Sequence, residues 1–343
     1  MKALVDTATG RQSSSASIDR KSAPVFVLGC PRSGTTALYH MLLSAGNFAV
    51  YRAESHVFNI LAPRFGHMRS LQDREELMQH WLRSKLFRVS GLDAEAIREK
   101  VIADCRNGGD FLRTVMEAIA RHQGVERWAD CTPEHLLYIP EIKREIPQAL
   151  IIHIIRDGRD VALSYVKQGW TYPMPWDARE HLGVAGLYWE WIVRRGRQYG
   201  MSLGEHYREV RFEDLVSQPR ETLARLSEFV GQDLDYDQIQ RAGIGSVREP
   251  NSSFADELGA QFNPVARWKT KMTGEEVAGF ERLCGGFLKE LGYPLASAFL
   301  GQRDLRRWRM RTTYFAMFAG KQWSKTRTPL GKLVHMGPLQ ISR

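Results

Sequence analysis

The stretch that most constrains the fold is Pro24-Val25-Phe26-Val27-Leu28-Gly29, an apolar run of strand length that stops at a glycine. A continuous apolar run bounded by turn residues predicts a strand buried on both faces. The turn Cys30-Pro31-Arg32-Ser33-Gly34 follows, and then Thr35–Ser44 places Leu38, Met41 and Leu42 at helical spacing. Strand, glycine turn and helix in that order predict a parallel α/β sheet whose first loop sits at a helix N-terminus. The pattern Gly29-x-x-x-x-Gly34-Thr35-Thr36 has the spacing of a phosphate-binding P-loop, but Thr35 stands where the lysine would be. Backbone N–H groups of such a loop converge on a phosphate, yet no ammonium reaches the β- and γ-phosphates of a nucleoside triphosphate. The loop suits a shorter anion, a 5′-phosphate bearing one further group, with Arg32 supplying charge at that group.

A second strand–loop–helix is predicted over 149–155, the run Ala149-Leu150-Ile151-Ile152-His153-Ile154-Ile155, followed by Arg156-Asp157-Gly158-Arg159-Asp160 and a helix carrying Val161, Leu163 and Val166. Short strands are also expected at 48–51 and 208–212, and helices over 222–230 and 275–291. Residues 65–123 read as helical, broken at Gly91 and at Gly108-Gly109. Alternating strands and helices predict a P-loop-like parallel sheet flanked by helices, with the helical segment as an insertion on the acceptor side. The order of the strands is not readable from this pattern. Residues 1–22 are expected to be a disordered tail, 23–300 one catalytic domain, and 301–343 a basic aromatic C-terminal extension.

Charge separates that extension from the rest. Residues 301–343 hold ten basic side chains against the single acid Asp304, which accounts for the whole formal net charge of +9. The remaining residues balance, so an anionic ligand has to be held by local geometry and not by a global field. The extension interleaves its cations with Trp308, Tyr314, Phe315, Phe318 and Trp323. That pattern predicts either a helix docked on the body with its arginines in water, or a segment lying on an anionic membrane surface. No motif for nucleic-acid binding accompanies it. The four cysteines are far apart and lack zinc or redox spacing. The N-terminal stretch has no apolar signal region, and no run is long enough to span a bilayer. Together these point to reduced thiols in a cytoplasmic protein, with peripheral membrane contact as the second setting.

Pro31-Arg32-Ser33-Gly34-Thr35-Thr36 resembles the 5′-phosphosulfate loop of the sulfotransferases that use 3′-phosphoadenosine 5′-phosphosulfate (PAPS), and the bacterial, tyrosylprotein-sulfotransferase-like branch in particular. Ile155-Arg156-Asp157-Gly158-Arg159-Asp160-Val161-Ala162-Leu163-Ser164 is similar to their 3′-phosphate motif. Arg211-Phe212-Glu213-Asp214-Leu215-Val216 with Phe229-Val230-Gly231, and Ala266-Arg267-Trp268-Lys269 with Leu291-Gly292-Tyr293-Pro294, resemble further family segments.

The resemblance implies PAPS as co-substrate, no metal, and transfer of a sulfuryl group to a hydroxyl or amine. It implies that Arg32, Ser33, Gly34, Thr35 and Thr36 hold the 5′ end of the nucleotide. Arg156 and Ser164 would grip the 3′-phosphate, and Arg267 with Ser252 or Ser253 would add nucleotide contacts. The catalytic base carries over to Glu54, with His56 as the competing local candidate. A carboxylate near Arg32 is expected to stay ionised and accept the proton. Three positions depart from the family pattern: Cys131 replaces a lysine, Ala37 a tryptophan that stacks on adenine, and Phe212 a tyrosine.

The acceptor, expected to be a small molecule, carbohydrate or lipid, would meet residues 64–123 and the loop carrying Trp170, Tyr172 and Trp176. Two other classes share the loop geometry: a P-loop kinase or NTPase, and a non-catalytic nucleotide-binding module.

Overall fold

The structure is a computed structural model and describes residues 19–249, 263–297 and 305–328. Four parallel strands form its sheet in the order β2-β1-β3-β4: β1 is Val25–Gly29, β2 Ala129–Asp130, β3 Leu150–Ile155 and β4 Tyr207–Arg211. β1 and β3 pair in register from Val25↔Leu150 to Gly29↔Ile154. Every residue of both strands is buried. Each Val, Leu or Ile among them adds about 1.5–3 kcal/mol relative to exposure, so the central pair anchors everything attached to its ends.

Helices cover the sheet on both faces. Thr35–Ser44 and Pro219–Val230 pack on one side with Leu38, Leu42, Leu223 and Leu226, all buried. Gly158–Lys167, His181–Gly200 and Gly274–Glu290 pack on the other with Val161, Trp189, Ile192, Phe280 and Phe287. The segment read as helical breaks into Leu71–Trp81, Lys85–Arg88, Ala94–Asp104 and Gly108–Gln123. The second predicted break is a start: Asn107 caps the last of these helices, its side chain accepting from the Asp110 N–H at 2.8 Å.

One expectation needs correction, and two features were not expected. Residues 48–51 form no strand. Phe48 makes one isolated bridge to Arg127, and the backbone of Val50 bonds instead to the Gln123 side-chain amide, at 2.7 and 3.0 Å. A side chain that satisfies both polar groups leaves nothing to continue the ladder. At the start of the described residues, the Arg20 guanidinium donates to the Phe229 carbonyl at 2.8 Å. And no sequence pattern above predicts His181–Gly200, which is apolar on several sides and contains Gly183, Gly186 and Gly196. A Cβ at these glycines would stand 2.7, 2.4 and 2.5 Å from Leu283, Phe280 and Leu136. They read as helix breakers but serve close packing.

The basic extension forms the helix Leu305–Arg327 and docks on the body. Met310 and Tyr314 are buried in the main core. Arg311 makes a bidentate pair with Glu190 at 2.6 and 2.7 Å, where the Glu190 side chain is 1% exposed. The Tyr314 hydroxyl accepts from the Met174 N–H at 2.8 Å. Leu305, Trp308 and Trp323 face solvent. No helix among the described residues is long and apolar enough to cross a membrane.

Candidate active site

Strand order explains why the two phosphate-type loops meet. β1 is flanked by β2 and β3, and the chain runs outward from β1 to β2 on one side and from β3 to β4 on the other. The C-terminal ends of β1 and β3 therefore border a topological switch point, where open parallel sheets bind ligands. Close approach depends on Gly29, since a Cβ there would lie 2.6 Å from the Ile154 carbonyl oxygen. Beyond it, Arg32 has φ 71° and Gly34 φ 95°, turning the loop back over the start of Thr35–Ser44. That helix has Gly34 at its N-cap and no side-chain cap, so its first N–H groups stay available to an anion. The Ser33 hydroxyl is buried and has no hydrogen-bond partner among the described residues.

Arg32, Arg156 and Ser164 come together. The Arg32 Nε donates to the Ser164 Oγ at 2.9 Å, and the Arg156 Nη1 donates to the Arg32 carbonyl at 3.0 Å. Arg156 also donates to the Pro264 carbonyl at 2.5 Å and lies over the Phe212 ring, 4.6 Å from its centre. Its Nε is buried and has no partner among the described residues. Phe212, the departure from the family tyrosine, thus supplies a flat platform to Arg156 and an edge to Gly34. Burial, and then repulsion from Arg156, lowers the pKa of Arg32. Two guanidiniums this close, in partly dry surroundings, favour an anion between them.

Asp160 ties a third segment to this pair. Its fully buried carboxylate accepts from the Ala266 and Trp268 N–H groups, both at 2.9 Å, and stands 3.8 Å from Arg156. Arg267 is thereby held on the segment next to Arg156, half-buried, with its Nε donating to the Asn263 carbonyl at 3.1 Å. Ser252 and Ser253 lie outside the described residues. Arg159 is structural: it is fully buried, pairs with Asp157 and Glu281 at 2.7 Å each, and stacks on Trp268 at 3.6 Å.

Glu54 and His56 sit together on the loop after residue 51, with Glu54 Oε2 3.5 Å from His56 Nε2. The loop is pinned from β2. The His56 N–H donates to Thr132 Oγ1 at 3.3 Å, and Thr132 bonds through N–H and hydroxyl to the two oxygens of buried Asp130. Asp130 also meets His135 Nδ1 at 3.0 Å. Because His135 Nε2 accepts from the Phe58 N–H at 3.1 Å, Nδ1 is the protonated nitrogen of that ring. Sequence reasoning singled out this segment only for Cys131; the anchoring residues Asp130, Thr132 and His135 carried no motif signal.

Electrostatics correct one expectation. Loss of solvation, with repulsion from Asp130 and Glu134, outweighs the attraction of Arg32 and pushes the Glu54 carboxyl up to about 7. It is poised near neutrality and not held ionised. Burial lowers the pKa of His56, helped by His135, so the imidazole beside Glu54 is neutral at neutral pH.

Glu54, His56 and Pro31 line a cavity of about 720 Å³. Its walls include Tyr165, Trp170, Tyr172, Tyr188 and Trp191, and the C-terminal helix adds Met317, Phe318, Lys321, Gln322 and Lys325. Of the segments expected to border an acceptor, the aromatic loop contributes Trp170 and Tyr172, whereas Trp176 and residues 64–123 are not among the lining residues. The Trp170 ring also stands 5.9 Å from the Arg32 guanidinium, which links cavity and loop.

The profile of the sulfotransferase family matches residues 24–236, more than half of the chain. No curated protein sequence matches. Similar solved structures include the sulfotransferase domain from the curacin biosynthetic pathway, 19% identical, with 80% of this chain and 98% of that one covered at a TM-score of 0.49. The sulfotransferase domain of the Synechococcus PCC 7002 olefin synthase is 20% identical, covering 86% and 96% at 0.44. Retinol dehydratase, solved with androsterone and the inactive cofactor PAP, is 15% identical, covering 80% and 82% at 0.39. With its strand–loop–helix phosphate motif inside the matched region, the chain belongs to the sulfotransferase family.

Proposed function

We propose that the protein transfers a sulfuryl group from PAPS to a hydroxyl or amine, with Glu54 as general base. The observation that carries this reading is the convergence of Arg32, Arg156 and Ser164 at one edge of the sheet, beside the cavity that Glu54 enters. Two buried groups without partners among the described residues, Ser33 Oγ and Arg156 Nε, fit the polar ends of a nucleotide bisphosphate. The phosphate loop without lysine argues against a triphosphate and hence against a kinase or NTPase.

PAPS would supply the sulfuryl group and leave as adenosine 3′,5′-bisphosphate. Transfer forms a bond from sulfur to the acceptor oxygen or nitrogen and breaks the bond from sulfur to the 5′-phosphate oxygen; the acceptor's proton goes to the Glu54 carboxylate. His56, neutral and 3.5 Å from Glu54, orients that carboxyl. Arg32 and the loop N–H groups stabilise charge spread over the equatorial oxygens, as in phosphoryl transfer. Arg156 and Ser164 hold the 3′-phosphate, and Arg267 completes the grip from the segment tied to Asp160. We extend the proposal to domain organisation: residues 23–300 and the docked C-terminal helix act as one unit. The solvent face of that helix, with Trp308 and Trp323, supports contact with an anionic membrane surface. Co-sedimentation with phosphatidylserine vesicles, lost on Trp308→Ser with Trp323→Ser, tests that contact.

The test of the reaction is incubation with sulfur-labelled PAPS and a panel of phenolic, carbohydrate, lipid and peptide acceptors. Wild type is expected to label at least one of them, and Glu54→Gln to lose turnover while still binding adenosine 3′,5′-bisphosphate. Unchanged turnover in Glu54→Gln refutes the base assignment.

A further inference from the structure

The cavity that Glu54 lines is mixed in character: Tyr165, Tyr188, Trp191 and Phe318 give it aromatic walls, and Lys321, Gln322 and Lys325 add polar ones. The last three belong to the C-terminal helix, beyond the part of the chain that the family profile matches. Lys321 and Lys325 are one helical turn apart and share a face with Phe318. Lys321 is exposed and Lys325 half-buried.

Arg311, Met310 and Tyr314 dock the helix. The charge of both lysines acts on Glu134: against burial, the attraction of Lys325 and Lys321, with the Asn59 hydrogen bond and His56, holds that carboxyl below the usual range. Glu134 shares the cavity, but its carboxylate already accepts from Asn59 at 3.0 Å and Tyr188 at 3.4 Å. Burial, more than the attraction of Glu134, acts on the Lys325 ammonium and lowers its pKa. A partly desolvated ammonium is costly unless something anionic pairs with it; Glu134 meets part of that need, and both lysines still face the cavity.

We infer that the acceptor carries, besides its reacting hydroxyl or amine, an anionic group recognised by Lys325 and Lys321 in a cavity with aromatic walls. The inference rests on the proposed reaction for the word acceptor and on the cavity lining for the chemistry. It makes the C-terminal helix the specificity-determining element of the enzyme.

Two pairs of probes test it: a hydroxyphenyl alkanoic acid against its methyl ester, and a terminally hydroxylated long-chain fatty acid against its methyl ester. Affinity is read by isothermal titration calorimetry in the presence of adenosine 3′,5′-bisphosphate, and turnover by transfer from labelled PAPS. For a charge-assisted contact, at least one acid should bind about 10- to 100-fold tighter than its ester and show a similar ratio in kcat/KM. Lys325→Gln, alone or with Lys321→Gln, should bring that ratio close to one, with the melting temperature nearly unchanged. Arg309→Gln, exposed and outside the cavity, should leave it intact. Equal affinity for acid and ester in both pairs, or a ratio that survives the double lysine variant, overturns the inference. Preferential binding of an acid with no transfer to any probe upholds the lysine site and counts against the sulfuryl-transfer reading instead.

Discussion

Replacing Gly34 by alanine probes the loop at its tightest point. A Cβ there would sit 2.2 Å from Phe212 Cδ2 and 2.6 Å from Cε2, on a residue whose φ is 95°. The backbone term costs about 1–2 kcal/mol, since an L-residue is disfavoured at positive φ. Forcing a methyl against an aromatic ring costs a further ~1–3 kcal/mol unless the ring moves. Phe212 is not free to move without cost, because it lies under the Arg156 guanidinium at 4.6 Å and is buried. Gly34→Ala should therefore lose roughly 2–5 kcal/mol in denaturant unfolding and weaken adenosine 3′,5′-bisphosphate binding by more than tenfold. Adding Phe212→Leu should recover the steric part but not the backbone part, giving a coupling of about 0.5–3 kcal/mol in the double-mutant cycle. If Gly34→Ala is as stable as wild type and binds the bisphosphate equally well, the loop geometry argued above is wrong. Strict additivity with Phe212→Leu would refute the contact alone.

Two further outcomes follow. The Glu54 carboxyl, raised to about 7 by desolvation and by Asp130 and Glu134, accepts a proton only when ionised, so kcat/KM should rise with pH through an apparent pKa near 7. That acid limb should vanish in Glu54→Gln along with about 10²–10⁴-fold of rate; a limb kept unchanged in the variant assigns it to another group. Arg159→Met should destabilise by about 3–5 kcal/mol in denaturant unfolding, because it strands Asp157 and Glu281 without their buried cation. A loss under 1 kcal/mol would mean that the backbone donors to Glu281, from Ala296 and Ser297, satisfy it alone.

The legible parts of this protein are those with local signatures. β1 and β3 are short, wholly apolar and closed by turn residues, so strand type, loop and following helix could all be read from the chain. Arg32, Arg156 and Ser164 could be named because the loops that carry them have fixed spacing. Their mutual contact could not, since it depends on β1 and β3 being neighbours, and pairing between strands more than a hundred residues apart leaves no trace in either segment. His181–Gly200 was hidden for the opposite reason: it is buried on several sides, so no polar face marks a helical period. The anchoring of Glu54 through Asp130, Thr132 and His135 runs between segments and uses ordinary residue types. The charge of the C-terminal helix was plain, but its role as a cavity wall comes from the contacts of Met310, Arg311 and Tyr314 with the body.

In the proposed site two cationic loops embrace one nucleotide, and calorimetric titration with adenosine 3′,5′-bisphosphate and adenosine 5′-phosphate tests this most directly. Wild type should prefer the bisphosphate by about tenfold or more, the worth of a charge-assisted contact. Arg156→Met and Ser164→Ala should each shrink that preference while changing adenosine 5′-phosphate affinity less, and Arg32→Met should weaken both ligands. Equal affinity for the two nucleotides in wild type, or a preference untouched by Arg156→Met, would contradict it.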